Sequence, residues 1–102
     1  MNFNTKDIEL QGLDNGSEFF ANEKILLLKG NLSYIALLIP GIKSIISFPT
    51  LVCTNSIRMR KIAGDKVSML EFGLRRAQGP MAGNLASKYS FMGSFNGILF
   101  VK

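Results

Sequence analysis

The sequence predicts an α/β protein, in the form of an α+β fragment, and three observations indicate this class. Residues 1–30 are short apolar runs separated by turn residues, a pattern typical of a small antiparallel sheet. Residues 31–65 are long apolar stretches with helix-capping residues, and residues 66–102 hold an apolar strand followed by a capped helix. The sequence therefore divides into a β-rich layer (1–30), linking helices (31–65) and one strand-helix unit (66–102).

In the first part, turn residues separate the predicted strands. The turn at residues 14–17 separates a strand at 7–10 from one at 17–20, and the turn at 21–23 precedes a third strand at 24–29.

The middle part predicts two helices. The first is capped by Asn31 or Ser33 and runs to Ile39. Pro40 and Gly41 break it, and the second continues to Ala63 with Gly64 at its end. Pro49 is expected to kink the second helix or split it in two.

A membrane span is the alternative interpretation of this middle part. Residues 32–53 are mostly apolar and are followed by Arg58, Arg60 and Lys61. Lys43 and several polar residues interrupt the run, so it contains no clean stretch of about 18 apolar residues. We expect a helix buried between two layers, with its basic end in solvent.

Length and charge limit what the chain can build. Its 102 residues fall far short of the roughly 250 of a complete eight-stranded α/β barrel. A hydrophobic fraction of 47% and a mean hydropathy of +0.22 exclude a disordered tail. The net charge is −2 over residues 1–30 and +7 over residues 31–102, so the C-terminal part favours an anionic partner: nucleic acid, anionic lipid or a phosphorylated small molecule.

The chain has one cysteine, Cys53, and no histidine. These counts exclude a disulfide within the chain, a zinc site of the Cys/His kind and a Ser-His or Cys-His nucleophilic pair. Cys53 is predicted to be a small buried residue. Residues 1–7 lack a basic region before an apolar core, so we expect a cytosolic location.

The candidate site lies where an apolar strand ends in two arginines. Residues 67–74 predict a strand that is covered on both sides, and Arg75 and Arg76 follow it. With a period of two, Glu71 and Arg75 share one face, so Glu71 is expected to hold or orient an arginine. Because ligands bind at the C-terminal ends of strands in α/β folds, the arginine pair predicts an anion site. A loop at residues 79–83 and a helix over 85–92, capped by Asn84, are expected to follow.

Three segments resemble the nicotinate phosphoribosyltransferase family. Residues 15–30 are similar to its Glu-Gly-Ser…Glu-Pro-Leu-Leu…Gly region, and residues 51–64 to its Leu-Val-Ala-Thr-Asn-Ala-Ala-Arg helix. The most specific segment is 70–80, which is followed at the right distance by Ala-Ser-Lys-Tyr at 86–89 and Gly-Ser-Phe-Asn-Gly at 93–97. On these segments the chain is identified as a member of the family.

The resemblance implies a fold and a reaction. Family members resemble type II phosphoribosyltransferases, in which a β-rich N-terminal layer packs on an irregular α/β barrel and the active sites of a homodimer form at the subunit interface. They make nicotinate mononucleotide and pyrophosphate from nicotinate and phosphoribosyl pyrophosphate, with ATP hydrolysis and Mg²⁺. Nicotinate and phosphoribosyl pyrophosphate are therefore the implied partners, rather than nucleic acid or a membrane.

The resemblance also implies roles for four residues. Arg75 would reach phosphoribosyl pyrophosphate or nicotinate, Glu71 would orient Arg75, and Leu74 would line the cleft. Arg76 is assigned to the same pocket. Fixed guanidinium donors and a metal ion stabilise the charge that develops as pyrophosphate leaves.

The sequence departs from the family pattern at several positions. Where the family reads Gly-Gly-Phe-Asp-Gly-Thr-Ser-Asn, residues 93–97 read Gly-Ser-Phe-Asn-Gly, and the rest of the motif is missing. Met81 and Ala82 replace an Asp-Gly pair, and residues 37–40 replace Leu-Leu-Glu-Thr with Leu-Leu-Ile-Pro. The histidine that family members phosphorylate has no counterpart, and neither has the later nicotinate-binding arginine. We therefore expect a truncated member that is inactive alone, and a small basic binding or membrane-associated module is the alternative.

The same reasoning predicts that the isolated chain folds poorly. By the resemblance, residues 66–102 would supply the first strand and helix of an incomplete α/β barrel. This open barrel strand and an exposed apolar segment from Ile98 to Val101 are aggregation hazards. A further possibility is a non-catalytic subunit that binds full-length relatives through this segment.

Overall fold

The computed structural model describes residues 2–4 and 7–98, which contain the helices and short strands of an α+β protein. The chain divides into two compact units, Met1–Lys43 and Ser44–Lys102, and each is described by itself. The division into parts 1–30, 31–65 and 66–102 stays a prediction.

The first unit contains a three-stranded antiparallel sheet. Its strands are β1 (Asn2–Asn4), β2 (Ile8–Gly12) and β3 (Leu26–Gly30), in the order β1-β2-β3. Ile8 lies opposite Gly30, and Gly12 lies opposite Leu26. The small antiparallel sheet predicted for residues 1–30 is confirmed.

The predicted strand at residues 17–20 is wrong. Residues 13–25 form a long connection between β2 and β3, with a turn in which the Ser17 N–H donates to the Asp14 carbonyl at 3.1 Å. A second turn follows, in which the Phe20 N–H donates to the Glu23 carboxylate at 2.8 Å. Residues 17–20 belong to this connection, in which the Glu23 side chain binds a backbone N–H that a strand would use for pairing.

A single helix, α1 (Leu32–Ala63), replaces the two predicted helices. The Asn31 side chain caps its start by accepting from the Ser33 N–H at 2.9 Å. The expected break at Pro40 and Gly41 does not occur, and the helix continues through Pro49 as well. A proline lacks the N–H that would bind the carbonyl four residues earlier, so one helical hydrogen bond is lost. For Pro40 and Pro49 these carbonyls belong to Ala36 and Ile45, which are both exposed, so water can bind them instead.

The predicted end of α1 is confirmed. Gly64 has φ +76°, and its N–H donates to the Arg60 carbonyl at 2.9 Å. This left-handed conformation after the last helical residue favours glycine.

The second unit contains a parallel pair of strands and a second helix. Strands β4 (Leu70–Glu71) and β5 (Gly97–Ile98) are parallel, and α2 (Pro80–Met92) connects them. This pairing confirms the prediction of a strand in a parallel sheet, but the predicted range of that strand, 67–74, is wrong. Strand β4 has only two residues, and the chain turns into a short 3-10 helix at Gly73–Arg76. The side chains of residues 98–101 lie outside the described residues.

Helix α2 begins earlier than predicted. It starts at Pro80, after Gly79, so Gly83 and Asn84 are helical instead of forming a loop and a cap. Proline suits the first helical position because the N–H that it lacks has no partner inside the helix.

Large apolar side chains do not form a closed core in the described chain. No hydrophobic residue there is fully buried, and the buried polar residues are three serines: Ser56, Ser87 and Ser90. Only Pro49 and Ser56 are buried in α1, so the prediction that this helix is buried between two layers is wrong for this chain. The buried positions are held by small residues, and many of the large apolar residues are exposed.

Candidate functional site

The predicted site residues lie on the segment that joins β4 to α2. Glu71 ends β4, and the 3-10 helix that follows contains Leu74, Arg75 and Arg76. Pro80 then starts α2. The segment thus reverses direction within a few residues and carries two guanidinium groups to the start of a 13-residue helix.

The Glu71 carboxylate fastens this segment to its surroundings. One oxygen accepts a hydrogen bond from the Gly73 N–H, and the other accepts from the Ser87 hydroxyl at 2.8 Å. Ser87 is only 1% exposed, so this second bond anchors the segment inside the unit. The geometric argument that Glu71 pairs with Arg75 is therefore wrong: the strand ends at Glu71, and both of its oxygens bind other groups.

Arg75 and Arg76 are both exposed. They are the last two residues of the 3-10 helix, and within the described part of the chain neither guanidinium forms a hydrogen bond or an ion pair. A guanidinium carries five donors and stays charged, so these two groups are free to bind an external anion.

Leu74 anchors the 3-10 helix to α2. Its side chain is half-buried and lies so close to Gly83 that a Cβ at position 83 would overlap it. The buried Gly83 therefore gives the side chain room to pack on the helix backbone. This contact holds the arginine-bearing turn, and the placement of Leu74 in a pocket stays a prediction.

The start of α2 adds a second source of positive potential. The N–H groups at the beginning of a helix have no internal partners and form the positive end of its dipole. The first turn of α2 contains no acidic residue that would neutralise this end. Arg76 precedes Gly79 by three residues, so the arginine pair and the helix start are close along the chain.

Arg60 is a structural residue that the sequence analysis missed. It was expected to lie in solvent with Arg58 and Lys61, but its guanidinium donates to the carbonyls of Ser94 at 2.9 Å, Gly64 at 3.0 Å and Val67 at 2.6 Å. It also donates to the Asn96 side-chain oxygen. Arg60 thus joins the end of α1 to the loops before β4 and before β5.

Asn96 completes this cluster at the start of the parallel pair. Its side-chain oxygen also accepts from the Met69 N–H at 2.8 Å, and its own N–H donates to the Met69 carbonyl at 2.8 Å. The family pattern has an aspartate at this position, and its carboxylate oxygens could accept the same hydrogen bonds. The partner Arg60 lies 36 residues away, so local periodicity does not reveal it.

The end of α2 packs closely on α1. A Cβ at the buried Gly93 would overlap the Ser56 side chain and lie 2.9 Å from the Cys53 carbonyl. The next residue, Ser94, has φ +77°, a left-handed conformation that the glycine of the family pattern adopts more readily. Cys53 itself is a free, half-buried cysteine, not the buried one that was predicted.

The described residues contain no group of three His, Cys, Asp or Glu side chains that would hold a metal ion. The site on this chain is therefore a cationic surface, with no built metal centre among the residues described.

Curated relatives share one name. The chain is 38% identical over 93 residues to nicotinate phosphoribosyltransferase from Caenorhabditis elegans, which covers 91% of this chain and 16% of that protein. It is 40% identical over 90 residues to the enzyme of that name from Homo sapiens, covering 88% of this chain and 17% of the relative. No family model matches.

A solved structure of an enzyme of this kind also matches the fold of the chain. The crystal structure of human nicotinic acid phosphoribosyltransferase matches 90% of this chain with a TM-score of 0.82 and 39% sequence identity, and the match covers 18% of the human chain. The α+β fold described above is therefore that of one segment of this enzyme. The chain, which spans about one sixth of the length of the curated relatives it matches, belongs to the nicotinate phosphoribosyltransferase family.

Proposed function

We propose that this chain supplies one wall of the substrate pocket of a nicotinate phosphoribosyltransferase. The reaction joins nicotinate to phosphoribosyl pyrophosphate and forms nicotinate mononucleotide and pyrophosphate, coupled to ATP hydrolysis, in the cytosol. The observation that carries the proposal is the pair of exposed arginines without internal partners, in a segment that matches the family at about 40% identity.

The chemistry requires fixed positive charge. The ring nitrogen of nicotinate forms a bond to the anomeric carbon of the ribose, and the bond from that carbon to the pyrophosphate oxygen breaks. Pyrophosphate leaves with the electron pair. Guanidinium donors that face the leaving group stabilise this developing negative charge, and they do so best when their backbone is held rigidly.

Arg75 and Arg76 are suited to this role because their backbone is fastened on both sides. Glu71 accepts hydrogen bonds from Gly73 and Ser87, and Leu74 packs on α2. Glu71 and Leu74 are therefore proposed as positioning residues, and the two arginines as the groups that contact the pyrophosphate or the nicotinate carboxylate.

The remaining parts of the reaction belong outside this chain. Mg²⁺ is proposed as the cofactor, but no described cluster of residues fits it, so we assign it no ligand here. The ATP-coupled step of the family uses a histidine, and this chain has none. The functional enzyme is proposed to be a homodimer whose other pocket residues come from the five-sixths of the relatives that this chain does not match.

Substitution of Arg75 tests the proposal in a chimera. The matched 90 residues of the human enzyme are replaced by their counterparts from this chain. In the chimera, R75A is expected to lower kcat/KM for phosphoribosyl pyrophosphate by about 100- to 1,000-fold, because a fixed donor to the leaving group is lost. R75K is expected to recover little, since lysine lacks the planar fork of donors.

The matched control is R58A. Arg58 is an exposed arginine of α1, and its loss changes the net charge by the same amount. A chimera that is folded and active, and in which R75A and R58A have equal effects, would show that Arg75 is not a pocket residue.

A membrane-associated module is the second candidate, and one observation favours it. Within the described chain, α1 is long and apolar enough to cross a membrane by length and composition, with a mean hydropathy of 1.8 in its most apolar window, and 6% of that window is buried. We nevertheless favour the enzyme segment, because only about a tenth of the chain lies outside the match to the human enzyme and most of α1 lies within it.

A further inference from the structure

The arginine-bearing turn leaves a strand that is very short. In the parallel pair, Leu70 lies opposite Gly97 and Glu71 lies opposite Ile98. A ladder of this length contains few backbone hydrogen bonds, so its register depends on side-chain contacts at its ends. At the C-terminal end of β4, the Glu71 carboxylate supplies such a contact by accepting from the Ser87 hydroxyl. A second contact lies at the other end of β4.

Asn96 supplies the contact at the start of β4. Its side-chain oxygen accepts from the Met69 N–H at 2.8 Å, and its own N–H donates to the Met69 carbonyl at 2.8 Å. The residue before β5 thus binds both backbone groups of the residue before β4. Met69 precedes Glu71 by two residues, which is about 7 Å of extended chain. Asn96 and Ser87 therefore fasten β4 at its two ends.

Arg60 holds the Asn96 side chain in turn. Its guanidinium donates to the same Asn96 oxygen, so one carbonyl oxygen with two lone pairs accepts from Met69 and from Arg60. The guanidinium also donates to three backbone carbonyls, those of Gly64, Val67 and Ser94. One charged group thereby joins the end of α1, the chain before β4 and the chain before β5, and hydrogen bonds from a charged donor are stronger than neutral ones.

Asn96 lies at the end of the strands that is opposite to the arginine pair. Arg75 and Arg76 follow the C-terminal end of β4, whereas Asn96 precedes β5 and binds the residue before β4. Ligands bind at the C-terminal ends of strands in α/β folds, so Asn96 faces away from the proposed ligand. An effect of Asn96 on the reaction would therefore act through the position of β4 and of the turn that follows it.

We propose that Asn96, held by Arg60, is a positioning residue for the arginine pair. Asn96 sets where β4 begins, and Glu71 then sets the direction in which the 3-10 helix leaves the strand. A displacement of a binding group by about 1 Å can lower a rate by about 100-fold, so a contact two residues before Glu71 matters to the site. The inference rests on the proposed function for the reaction that the arginines serve.

Substitutions of Asn96 test the proposal in the chimera, with the exchanged segment extending at least to Gly97. N96A removes the shared acceptor. We expect the KM for phosphoribosyl pyrophosphate to rise about tenfold and kcat to fall less than about threefold, because a displaced turn loses binding in the ground state and the transition state alike. N96D keeps an oxygen acceptor for both donors and is expected to return KM to within about twofold of the unmodified chimera. All rates are measured well below the melting temperature of each variant.

Amide hydrogen exchange gives a readout that needs no substrate. In N96A the amides of residues 70–76 are expected to exchange about tenfold faster than in the unmodified chimera, because the start of β4 opens more often. The matched control is N84A, which removes an exposed asparagine side chain from α2. N84A is expected to leave KM and the exchange of residues 70–76 unchanged.

Three results would overturn the proposal. The first is a lower melting temperature of N96A with KM within about twofold of the unmodified chimera, because Asn96 would then only stabilise the fold. The second is an N96D chimera that is as impaired as N96A, and the third is unchanged exchange at residues 70–76 in N96A. If N96A is insoluble, the shorter side chain of N96S is expected to raise KM in the same direction, and an unchanged KM would overturn the proposal as well.

The two readouts separate this proposal from the proposed function. A folded chimera without turnover would count against the proposed function. The exchange of residues 70–76 would still decide whether Asn96 positions the arginine-bearing turn.

Discussion

Two kinds of arginine in this chain differ in what their donors contact. Arg60 donates to three carbonyls and one side-chain amide, whereas Arg75 has no partner among the described residues. An arginine whose donors are used internally stabilises the fold, and one whose donors remain open is available to a ligand. The contacts of the guanidinium groups therefore distinguish a structural arginine from a candidate binding arginine. The sequence alone does not show this difference.

Replacement of Arg60 by lysine is expected to destabilise the segment. Lysine has three donors at one point and cannot reach four acceptors in a planar arrangement, so at least one charged hydrogen bond is lost. We expect R60K to lower the free energy of unfolding of the chimera by about 1–3 kcal/mol, measured by urea denaturation. R58K, at an exposed position, is expected to change it by less than about 0.5 kcal/mol. Equal effects of the two substitutions would contradict the structural role of Arg60.

At the scale of elements, the strand, the 3-10 helix and α2 depend on one carboxylate. Glu71 is in β4, its first partner Gly73 starts the 3-10 helix, and its second partner Ser87 is inside α2. A single side chain therefore fixes the angle at which the arginine-bearing turn leaves the strand.

Removal of the Ser87 hydroxyl tests whether its hydrogen bond to Glu71 holds this turn in place. S87A leaves one Glu71 oxygen without its partner in a buried place, and we expect a loss of about 1–3 kcal/mol in the stability of the chimera. Because the turn loosens, the KM for phosphoribosyl pyrophosphate is also expected to rise. S68A, which removes an exposed hydroxyl, is the control. If S87A lowers stability and leaves KM unchanged, Glu71 does not position the arginines.

Local patterns predicted some elements well and others poorly, for physical reasons. The antiparallel sheet and the end of α1 were predicted because turn residues and a left-handed glycine act locally. The predicted strand at 17–20 was wrong because hydrogen bonds of local turns, such as that from the Phe20 N–H to the Glu23 carboxylate, replace strand pairing there. The break at Pro40 was wrong because a proline in a 32-residue helix removes one hydrogen bond while the turns on either side persist.

In the candidate site too, local patterns predicted some features and missed those that depend on contacts between distant residues. Residue types and their order placed Arg75 and Arg76 after a strand, and the structure has them there. The partners of Glu71 and Arg60 are separated by up to 36 residues in sequence, so only the folded chain brings them together.

At the scale of the whole molecule, the surface of the described chain is rich in exposed apolar side chains. No hydrophobic residue is fully buried in its described part, and many of its large apolar residues are exposed. Since burial of apolar area is the dominant favourable term in folding, a chain with this distribution gains little of it by itself. The expectation that it folds poorly alone stays a prediction, and a cooperative thermal transition of the purified monomer would contradict it.

Turnover by the isolated chain and by the chimera, measured side by side, decides whether this chain is one wall of a larger pocket. The assay follows nicotinate mononucleotide formation from nicotinate and phosphoribosyl pyrophosphate, with and without ATP. We predict no product from the 102-residue chain alone and measurable turnover by the chimera that contains its matched residues. A folded chimera without turnover, or turnover by the isolated chain, would contradict this assignment.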